Sequence, residues 1–370
     1  MLGFGSKKLR FAVVGAGWFG QTAVLPAFAN TKRAVLAAIV SGDAEKRAAL
    51  AKEYKVPAYS YEQYDEVLGG GRVDAVFIVL PNSMHREYTV RAAGHKIHVL
   101  CEKPLAVTPA ECEEMIAACS AAGVKLMTAY RLHFEPGNLA AVEAIKAGKI
   151  GPPQVIQAFN TQQVEDEGNI RLDADRGGGP LGDVGVYCIN AARYLFQADP
   201  VEVVGFAGRS ADPRFREVPA VVTAVLRFPD DRLAAFTCGF GQGKVSEFRV
   251  VGTKGDLRMD PAFSFTGDLV THLTVDGKTT VTRHTEGNQV GAEIDYFAER
   301  VLAGEDPEPD GREGLIDVTI IDAIRQSVRD ARTVTLPAFP AKPRPSGEQA
   351  KKRAAVSGPE MVNANAPAEG

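Results

Sequence analysis

The sequence predicts an α/β protein in which a doubly wound parallel sheet is followed by an α+β domain with a large open antiparallel sheet. Two observations carry this prediction. Short apolar runs alternate with helical patterns over residues 1–130, and hairpin turn signals separate the apolar runs that follow. A third observation, a glycine-rich segment directly after the first apolar run, indicates what the first domain binds.

Five apolar runs near the N-terminus have the length and continuity of buried parallel strands. They are Leu9–Val14, Ala34–Val40, Val73–Leu80, Ile97–Cys101 and Lys125–Ala129. Helical periodicity follows the first four runs, over Gln21–Asn30, Asp43–Tyr54, Met84–Ala93 and Pro109–Ala122. Repeated β-α-β units of this kind predict a doubly wound sheet, here assigned to residues 1–130.

After residue 150 the apolar runs are joined by tight turn signals, of which Asp276-Gly277 is the sharpest. The predicted strands are Val155–Asn160, Val201–Ala207, Ala220–Phe228, Leu233–Gly239, Ser246–Gly252, Asp268–Val275 and Lys278–His284. The predicted flanking helices are Phe134–Ala147, Leu181–Leu195, Val290–Ala303 and Arg312–Ala331. We assign residues 131–336 to this second, mainly antiparallel domain. Residues 337–370 are rich in Pro, Ala, Lys, Ser and Gly, which predicts a disordered tail.

Composition excludes several classes of function. The net charge of −4 does not favour nucleic acid or an anionic membrane as a partner. No apolar run reaches the length of about 18 residues that a membrane span needs. The segment before Leu9 lacks the apolar region of a signal peptide, so we expect a cytoplasmic protein with its five cysteines reduced. The six histidines form no ligand cluster, and we expect no metal site.

The glycine-rich segment has the spacing G-x-G-x-x-G, with Gly15, Gly17 and Gly20 around the aromatic pair Trp18-Phe19. The first glycine permits a tight turn, the second lets the backbone approach a pyrophosphate, and the third packs the helix on the strand. Because the segment lies between a predicted strand and a predicted helix, it indicates a dinucleotide-binding Rossmann domain.

The end of the second predicted strand distinguishes the two nicotinamide dinucleotides. NAD is usually held there by a carboxylate, whereas this strand ends in Ser41-Gly42. Ser41 can donate to a 2′-phosphate and Lys46, one helical turn on, supplies positive charge. Asp43 either approaches the 2′-hydroxyl or caps the next helix. We predict NADP, with NAD as the alternative.

Two polar segments are candidates for catalysis. Glu102-Lys103 ends an apolar strand, where a charged pair forms either an ordinary ion pair or a site beside the nicotinamide. Asp183 and Tyr187 follow the glycine run Gly177–Gly179 at positions i and i+4, which places them on one helix face, and Asn190 follows on that face. The alternative is a helix that Tyr187 merely packs.

Together these motifs resemble the glucose–fructose oxidoreductase family, the Gfo/Idh/MocA group, over about residues 9–336. The resemblance rests on the glycine loop, Leu80–His85, Cys101–Pro104 and Gly177–Asn190. It implies a Rossmann domain, an open α/β domain and an active site between them. It also implies that the cofactor lies near Leu80, Pro81, Asn82, His85, Glu102, Lys103 and Arg131.

Tyr187 resembles the glucose–fructose oxidoreductase branch of the family, as do Ala129–Pro136, Asp212–Phe215 and the pair of Ser41 with Lys46. That branch uses NADP and acts on aldoses or related sugars. Its name-giving enzyme is exported and has an N-terminal arm that retains the cofactor. Only a short segment precedes Leu9, without an export signal and with almost no arm, and we therefore expect an ordinary NADP-linked sugar dehydrogenase or reductase whose cofactor exchanges.

The mechanism that we expect is hydride transfer between nicotinamide C4 and a sugar carbon, with Tyr187 as acid/base and Lys103 polarising the oxygen. Their roles could also be exchanged. Asp183 either orients Lys103 or binds a sugar hydroxyl, and we expect Arg131 to contact the substrate as well. The alternatives are an anhydro-sugar reductase, a dihydrodiol dehydrogenase, a non-catalytic NADP sensor and an interaction protein. We expect the open sheet to form a homodimer or homotetramer.

Overall fold

The computed structural model describes residues 7–208, 210–340 and 344–367. The start of the segment before the first strand and part of the predicted tail therefore lie outside the described residues. Within the described residues, no helix is long and apolar enough to cross a membrane. Cys101, Cys112, Cys119, Cys188 and Cys238 are all buried free thiols.

Six parallel strands of the described chain form the first sheet. They are β1 (Leu9–Val14), β2 (Ala34–Val40), β3 (Ala58–Tyr59), β4 (Ala75–Ile78), β5 (His98–Glu102) and β6 (Leu126–Ala129). Their order, β3-β2-β1-β4-β5-β6, is that of a dinucleotide-binding doubly wound sheet. The predicted fold class is therefore confirmed for the N-terminal part.

The helices that connect these strands lie over both faces of the sheet. They are α1 (residues 20–30), α2 (Ala44–Tyr54), α3 (Tyr64–Gly69), α4 (His85–Gly94) and α5 (Pro109–Ala122). Local chemistry fixes their ends: Thr108 and Glu111 form a capping box at the start of α5, and Gly123 ends it in the left-handed region at φ 68°. The two elements that the sequence did not predict, β3 and α3, are too short to give a periodic pattern.

The second sheet has nine strands within the described chain, in the order β14-β13-β12-β11-β7-β10-β9-β8-β15. The strands are β7 (Pro153–Gln163), β8 (Glu202–Gly208), β9 (Val221–Arg227), β10 (Leu233–Gly239), β11 (Gly241–Gly252), β12 (Gly255–Met259), β13 (Leu269–Val275), β14 (Lys278–His284) and β15 (Val334–Thr335). Neighbouring strands are antiparallel except for β7 and β10. The sheet is therefore mainly antiparallel, as predicted.

Strand β12 was not predicted from the sequence: its first two residues belong to Thr253-Lys254-Gly255-Asp256, which has turn composition, and the residues after them show no strand pattern. In the structure the strand already begins at Gly255, where a Cβ atom would lie 2.1 Å from the carbonyl oxygen of Thr274. Glycine at position 255 thus allows the backbones of β12 and β13 to approach closely. The turn between β11 and β12 is shorter than the sequence indicates.

The remaining helices are α6 (Pro136–Lys146), α7 (residues 181–196), α8 (Gln289–Ala303) and α9 (Gly311–Asp330). Helices α7 and α9 cover one face of the second sheet and share its core. Helix α8 instead packs Ile294 and Phe297 with Phe11 and Phe77 of the first sheet. A helix that follows the second sheet in the chain therefore packs in the core of the first domain.

The opposite face of the second sheet is uncovered by the described residues. Phe206 on β8 has 74% of its surface exposed, and Val155, Leu233, Val251 and Val281 are also exposed. Of these, Val155, Leu233 and Val251 are direct cross-strand neighbours. Exposed apolar side chains on one sheet face are typical of a surface that is covered by another molecule.

Residues 344–367 contact both domains, which differs from the disordered tail that their composition predicts. Arg344 pairs with Asp199, Lys351 with Glu299 and Arg353 with Asp295. The segment has too few apolar residues to build a core. Its contacts instead come from polar groups that the folded domains already present, which a single-sequence pattern does not reveal.

A buried ion network holds α7 to α9 beneath the cleft between the domains. The fully buried Arg193 guanidinium lies 2.6 Å from Asp317, 2.8 Å from Glu313 and 2.7 Å from Asp199. Asp317 also accepts hydrogen bonds from the Tyr130 hydroxyl at 2.6 Å and from the Asn190 amide at 2.9 Å. The network therefore joins both helices to the end of β6.

We predict that Arg193→Met lowers the free energy of unfolding by about 3–5 kcal/mol, because the variant leaves the buried Asp317 without its counter-charge. The control is Arg227→Met, which removes exposed ion pairs with Glu202 and Asp231 and should cost much less, because solvent screens exposed pairs. Urea unfolding of both variants measures the difference, and equal losses would contradict the structural role of the network.

Candidate active site

A cleft with a volume of about 550 Å³ lies between the two domains, at the carboxyl ends of β1, β2, β4 and β5. This is the edge at which doubly wound sheets bind their ligands. The side of the cleft opposite the nucleotide-binding sheet comes from α7, from the loop before it and from β7. A ligand in the cleft therefore contacts both domains.

The glycine loop forms one end of this cleft. Gly15 has φ 103°, and a Cβ atom there would lie 2.3 Å from the Val79 carbonyl oxygen, so only glycine fits. A Cβ atom on Gly20 would lie 2.8 Å from the Gly15 carbonyl oxygen. Gly17 instead faces open space, with no atom of the described chain within 4 Å of its Cβ position. The loop is thus packed on its inner side and open where a pyrophosphate would lie.

The end of β2 lies beside this loop and presents Ser41, Gly42 and Lys46 to the cleft. Asp43 caps α2: one of its oxygens accepts from the backbone amides of Glu45 at 2.9 Å and Lys46 at 3.0 Å. The sequence left two roles open for Asp43, contact with a ribose 2′-hydroxyl or a helix cap, and its hydrogen bonds are those of a cap. Hydrogen bonds from the backbone amide of Lys46 and from the side chain of Asn363 lower the pKa of Asp43.

The far end of the cleft contains the charged residues predicted for catalysis. The Lys103 ammonium donates to the Asp183 carboxylate at 2.9 Å and to the Asp183 carbonyl oxygen at 2.8 Å. Arg171 donates to the other carboxylate oxygen of Asp183 at 2.7 Å. Asp183 is therefore held between two cations, one from each domain.

Electrostatics fixes the charge of this pair. Burial alone would lower the pKa of Lys103, but the surrounding Asp183, Tyr187 and Glu102 outweigh it, so the pKa is raised. Burial would raise the pKa of Asp183, and the two cations hold it well below its usual range instead. Lys103 is therefore a cation and Asp183 an anion at neutral pH.

Tyr187 lies next to this pair on α7. The Lys103 ammonium is 4.9 Å and the Arg131 guanidinium carbon 5.1 Å from the centre of its ring. Phe263 packs against the same ring at 6.0 Å between centroids. Residues 181–185 form a π-helical turn before α7 becomes regular, a feature often found at functional sites.

Two further carboxyl groups, Glu102 and Glu293, lie near Arg131 at the end of the cleft that contains Lys103. Burial raises the pKa of Glu102 to about 7 in spite of Lys103 and Arg131. Burial and the neighbouring Glu102 raise the pKa of Glu293 well above its usual range. One oxygen of Glu293 has no hydrogen-bond partner among the described residues. The two groups titrate together, and at neutral pH the pair retains a proton.

All but one of the predicted site residues line the same cleft. Those that line it are Gly15, Gly17, Trp18, Phe19, Gly20, Ser41, Gly42, Lys46, Leu80, Pro81, Asn82, Glu102, Lys103, Arg131, Asp183 and Tyr187. The exception is His85, which is fully buried behind the loop. Its ring nitrogens lie 2.9 Å from the Leu80 carbonyl oxygen and 3.0 Å from that of Pro104, so it positions the loop.

Asn190 also differs from the expectation. It lies on the inner side of α7, where its carbonyl oxygen is 2.7 Å from the His133 ring and its amide donates to Asp317. Asn190 lies about one helical turn beyond Tyr187, where α7 contacts Asp317 of α9 and no longer lines the cleft.

Sequence reasoning missed several residues of the cleft. Arg171 and Arg176 come from the irregular segment between β7 and α7, which has no periodicity to place it. Phe263 and Phe265 follow β12, which was itself not predicted. Tyr61 contacts Gly42 from the loop after β3, and Pro367 comes from the C-terminal segment. No pattern in the sequence marks these residues as part of the cleft, and only their positions in the folded structure identify them.

Among the described residues, no group of three or more His, Cys, Asp or Glu side chains is arranged to hold a metal ion. The polar groups of the cleft include backbone amides of the glycine loop, several basic side chains, Asp183 between Lys103 and Arg171, and the phenol of Tyr187. This set suits an anionic dinucleotide and a hydroxylated ligand rather than a cation.

Known proteins with related sequences and structures agree with this architecture. Residues 9–130 match an oxidoreductase family with an NAD-binding Rossmann fold, and residues 138–258 match the GFO/IDH/MocA C-terminal domain. A D-xylose 1-dehydrogenase [NADP(+)] from Haloarcula marismortui is 33% identical, with 89% of this chain and 93% of the relative covered.

Two solved structures extend the comparison. The aldose-aldose oxidoreductase of Caulobacter crescentus, complexed with glycerol, has a TM-score of 0.86 and 37% identity, with 89% of this chain and 100% of that chain covered. A 3-ketoreductase from Actinomadura kijaniata, in complex with NADP and TDP-benzene, has a TM-score of 0.80 and 27% identity, with 87% and 98% covered.

The sheet order, the glycine loop and the Lys103–Asp183 contact at the domain boundary thus agree with the sequence matches. The resemblance from which the sequence analysis predicted a sugar oxidoreductase is confirmed at the level of the family. The chain belongs to the GFO/IDH/MocA family of oxidoreductases.

Proposed function

We propose that this protein is an NADP-dependent oxidoreductase that transfers a hydride to or from a sugar, with the C1 position of an aldose as the reacting carbon. One observation carries the proposal: the cleft that begins at the glycine loop ends at Lys103, Asp183 and Tyr187. A dinucleotide bound by the loop would extend along the strand ends toward these residues.

The relatives support the same class of substrate. Those described above are named as a xylose dehydrogenase and an aldose-aldose oxidoreductase. A further relative, from Ensifer adhaerens, is named a 1,5-anhydro-D-fructose reductase and is 33% identical over 67% of this chain. The shared chemistry is the interconversion of a sugar C–OH group and a carbonyl.

The residues of the cleft divide the reaction between them. When bound, the nicotinamide supplies the hydride acceptor or donor. In sugar oxidation the C–H bond breaks with its electron pair, and the hydroxyl proton passes to the Tyr187 oxygen; in reduction Tyr187 returns the proton to the carbonyl oxygen. The Lys103 cation, held by Asp183, stabilises negative charge on the reacting oxygen.

The charge of Lys103 supports this assignment over the reverse one. A lysine whose pKa is raised stays protonated at neutral pH and can donate hydrogen bonds, but it is a poor base. Asp183 is best understood as the residue that orients Lys103, because Lys103 and Arg171 already occupy both of its oxygens.

The adenosine end of the cleft supports NADP. Ser41 and Lys46 line the position that a 2′-phosphate would occupy, and the carboxylate of Asp43 is engaged as a helix cap. A negatively charged phosphate would gain from Lys46 and from the positive N-terminal end of α2.

The assembly belongs to the same proposal. Residues 1–130 bind the cofactor, and residues 131–336 bind the sugar and form a homodimer or homotetramer through the open face that Phe206 marks. We place the protein in the cytoplasm, without a nucleic acid or membrane partner. A monomeric mass by light scattering would contradict the proposed oligomer.

The direct test is a substrate panel. We expect the purified protein to reduce NADP when given aldoses, with a lower KM for NADP than for NAD, as measured by absorbance near 340 nm. 1,5-Anhydrofructose and aromatic dihydrodiols complete the panel. Turnover of these compounds alone would replace the sugar C1 assignment with one of the alternatives, and absence of turnover with every substrate would contradict the catalytic proposal.

Tyr187→Phe should lower kcat by about 10²-fold with little change in the KM for NADP, because it removes only the proton-transferring hydroxyl. The control is Tyr194→Phe on the same helix, whose hydroxyl bonds Asn138 in the core and does not line the cleft. Near-normal turnover of the Tyr187 variant would remove this residue from the acid/base role.

Lys46→Met should raise the KM for NADP about tenfold and leave the KM for NAD unchanged, since one charge-assisted contact to the 2′-phosphate is lost. Lys52→Met, at the exposed far end of the same helix, is the matched control. Equal effects of Lys46→Met on both cofactors would show that this residue does not contact a 2′-phosphate.

A further inference from the structure

Residues 344–367 cross the molecule from α8 to the cleft, which Pro367 lines. Arg344, Lys351 and Arg353 fix the first part of this segment by ion pairs with α8 and with the Asp199 region. The backbone of Arg353 then accepts a hydrogen bond from the amide of Asn288 at 2.9 Å. The residues that follow, 358–367, leave this anchored part and lie against the nucleotide-binding loops; we name them the C-terminal strap.

The strap first contacts the helix that follows the glycine loop. The Gln21 side chain donates to the Val362 carbonyl oxygen and accepts from the Val362 amide, both at 2.9 Å. The same side-chain amide donates to the Ala16 carbonyl oxygen within the loop. A Cβ atom on Gly358 would lie 2.9 Å from the Gln21 carbonyl oxygen, so the strap approaches α1 closely there.

The next contact lies at the position proposed for the 2′-phosphate. The Asn363 amide donates to the Asp43 carboxylate at 3.1 Å and to the Glu45 carboxylate at 3.0 Å. Both acceptors belong to the first turn of α2, beside Lys46. The strap therefore contacts the two elements that hold the pyrophosphate and adenosine parts of a dinucleotide.

The strap then reaches the other domain. Pro367 is one of the residues that line the cleft, and its carbonyl oxygen accepts from the Glu165 amide at 3.2 Å. Glu165 follows β7 of the second domain. The strap thus spans the mouth of the cleft from the nucleotide-binding domain to the substrate domain.

We propose that the C-terminal strap closes over the bound dinucleotide and limits its dissociation, which rests on the proposed function. A dinucleotide enclosed by the strap leaves only while the strap is open, so its dissociation rate falls in proportion to the open fraction. The sequence analysis expected a freely exchanging cofactor because the chain has almost no N-terminal arm. The proposal differs from that expectation, because the C-terminal strap would retain the cofactor instead.

The test compares NADPH dissociation from four proteins by stopped-flow fluorescence, with excess NADP as the displacing ligand. They are the full chain, the chain ended after Ser357, Asn363→Ala and Asn365→Ala. The truncation keeps Arg344, Lys351 and Arg353, so the ion-paired part of the segment remains. Asn365 is exposed and has no hydrogen bond to a described residue, which makes it the matched control.

We expect dissociation about tenfold faster for the truncated chain, a rise of about threefold for Asn363→Ala from the loss of its hydrogen bonds, and no change for Asn365→Ala. Equal NADPH dissociation rates for the full chain, the truncated chain and Asn363→Ala would contradict the proposed role of the strap. That result would leave the proposed function intact. If the full chain binds no NADPH, both proposals fail. Should the truncated chain not fold, the two asparagine variants decide.

Discussion

The contact between Lys103 and Asp183 is the interaction on which the proposed site depends. Lys103 follows a strand of the first sheet, and Asp183 lies on a helix of the second domain. Their 2.9 Å contact is largely buried, so it joins the two domains where the reacting groups meet. Removing one partner would leave the other charged and without its counter-charge at this boundary, which is costly in a buried site.

The surroundings of this contact keep its geometry fixed. The Arg193 network anchors α7 below Tyr187 and reaches Tyr130, the residue before Arg131. His85 holds the loop after β4 against Pro104, the residue after Lys103. The segments that carry Tyr187, Arg131 and Lys103 are thus held by buried polar groups that do not themselves line the cleft, as in a preorganised site.

The sequence was sufficient to predict most of the fold and the two ends of the cleft. Continuous apolar runs and hairpin signals located most strands of both sheets, and the glycine spacing located the pyrophosphate loop. What it did not predict lacks periodicity: β12, which resembles a turn, and the segment that contributes Arg171. The placement of α8 against the first sheet depends on long-range packing that no local pattern encodes.

The tail shows a second reason why sequence reasoning failed. A segment with few large apolar residues gives no sign of order, yet Val362 and Asn363 bind groups that come together only once α1 and α2 have formed. In the same way, Asp183 and Tyr187 line the cleft, whereas Asn190, further along α7, contacts Asp317 of α9, a neighbour that the helical pattern alone does not reveal.

The central claim is that the cleft transfers a hydride between C1 of an aldose and a nicotinamide. A single-turnover experiment with a substoichiometric amount of an aldose deuterated at C1 tests it most directly. The account predicts that NADPH forms with deuterium at C4 of the nicotinamide, more slowly than with the unlabelled sugar. Formation of NADPH without deuterium would contradict the claim, because the hydride would then come from another position.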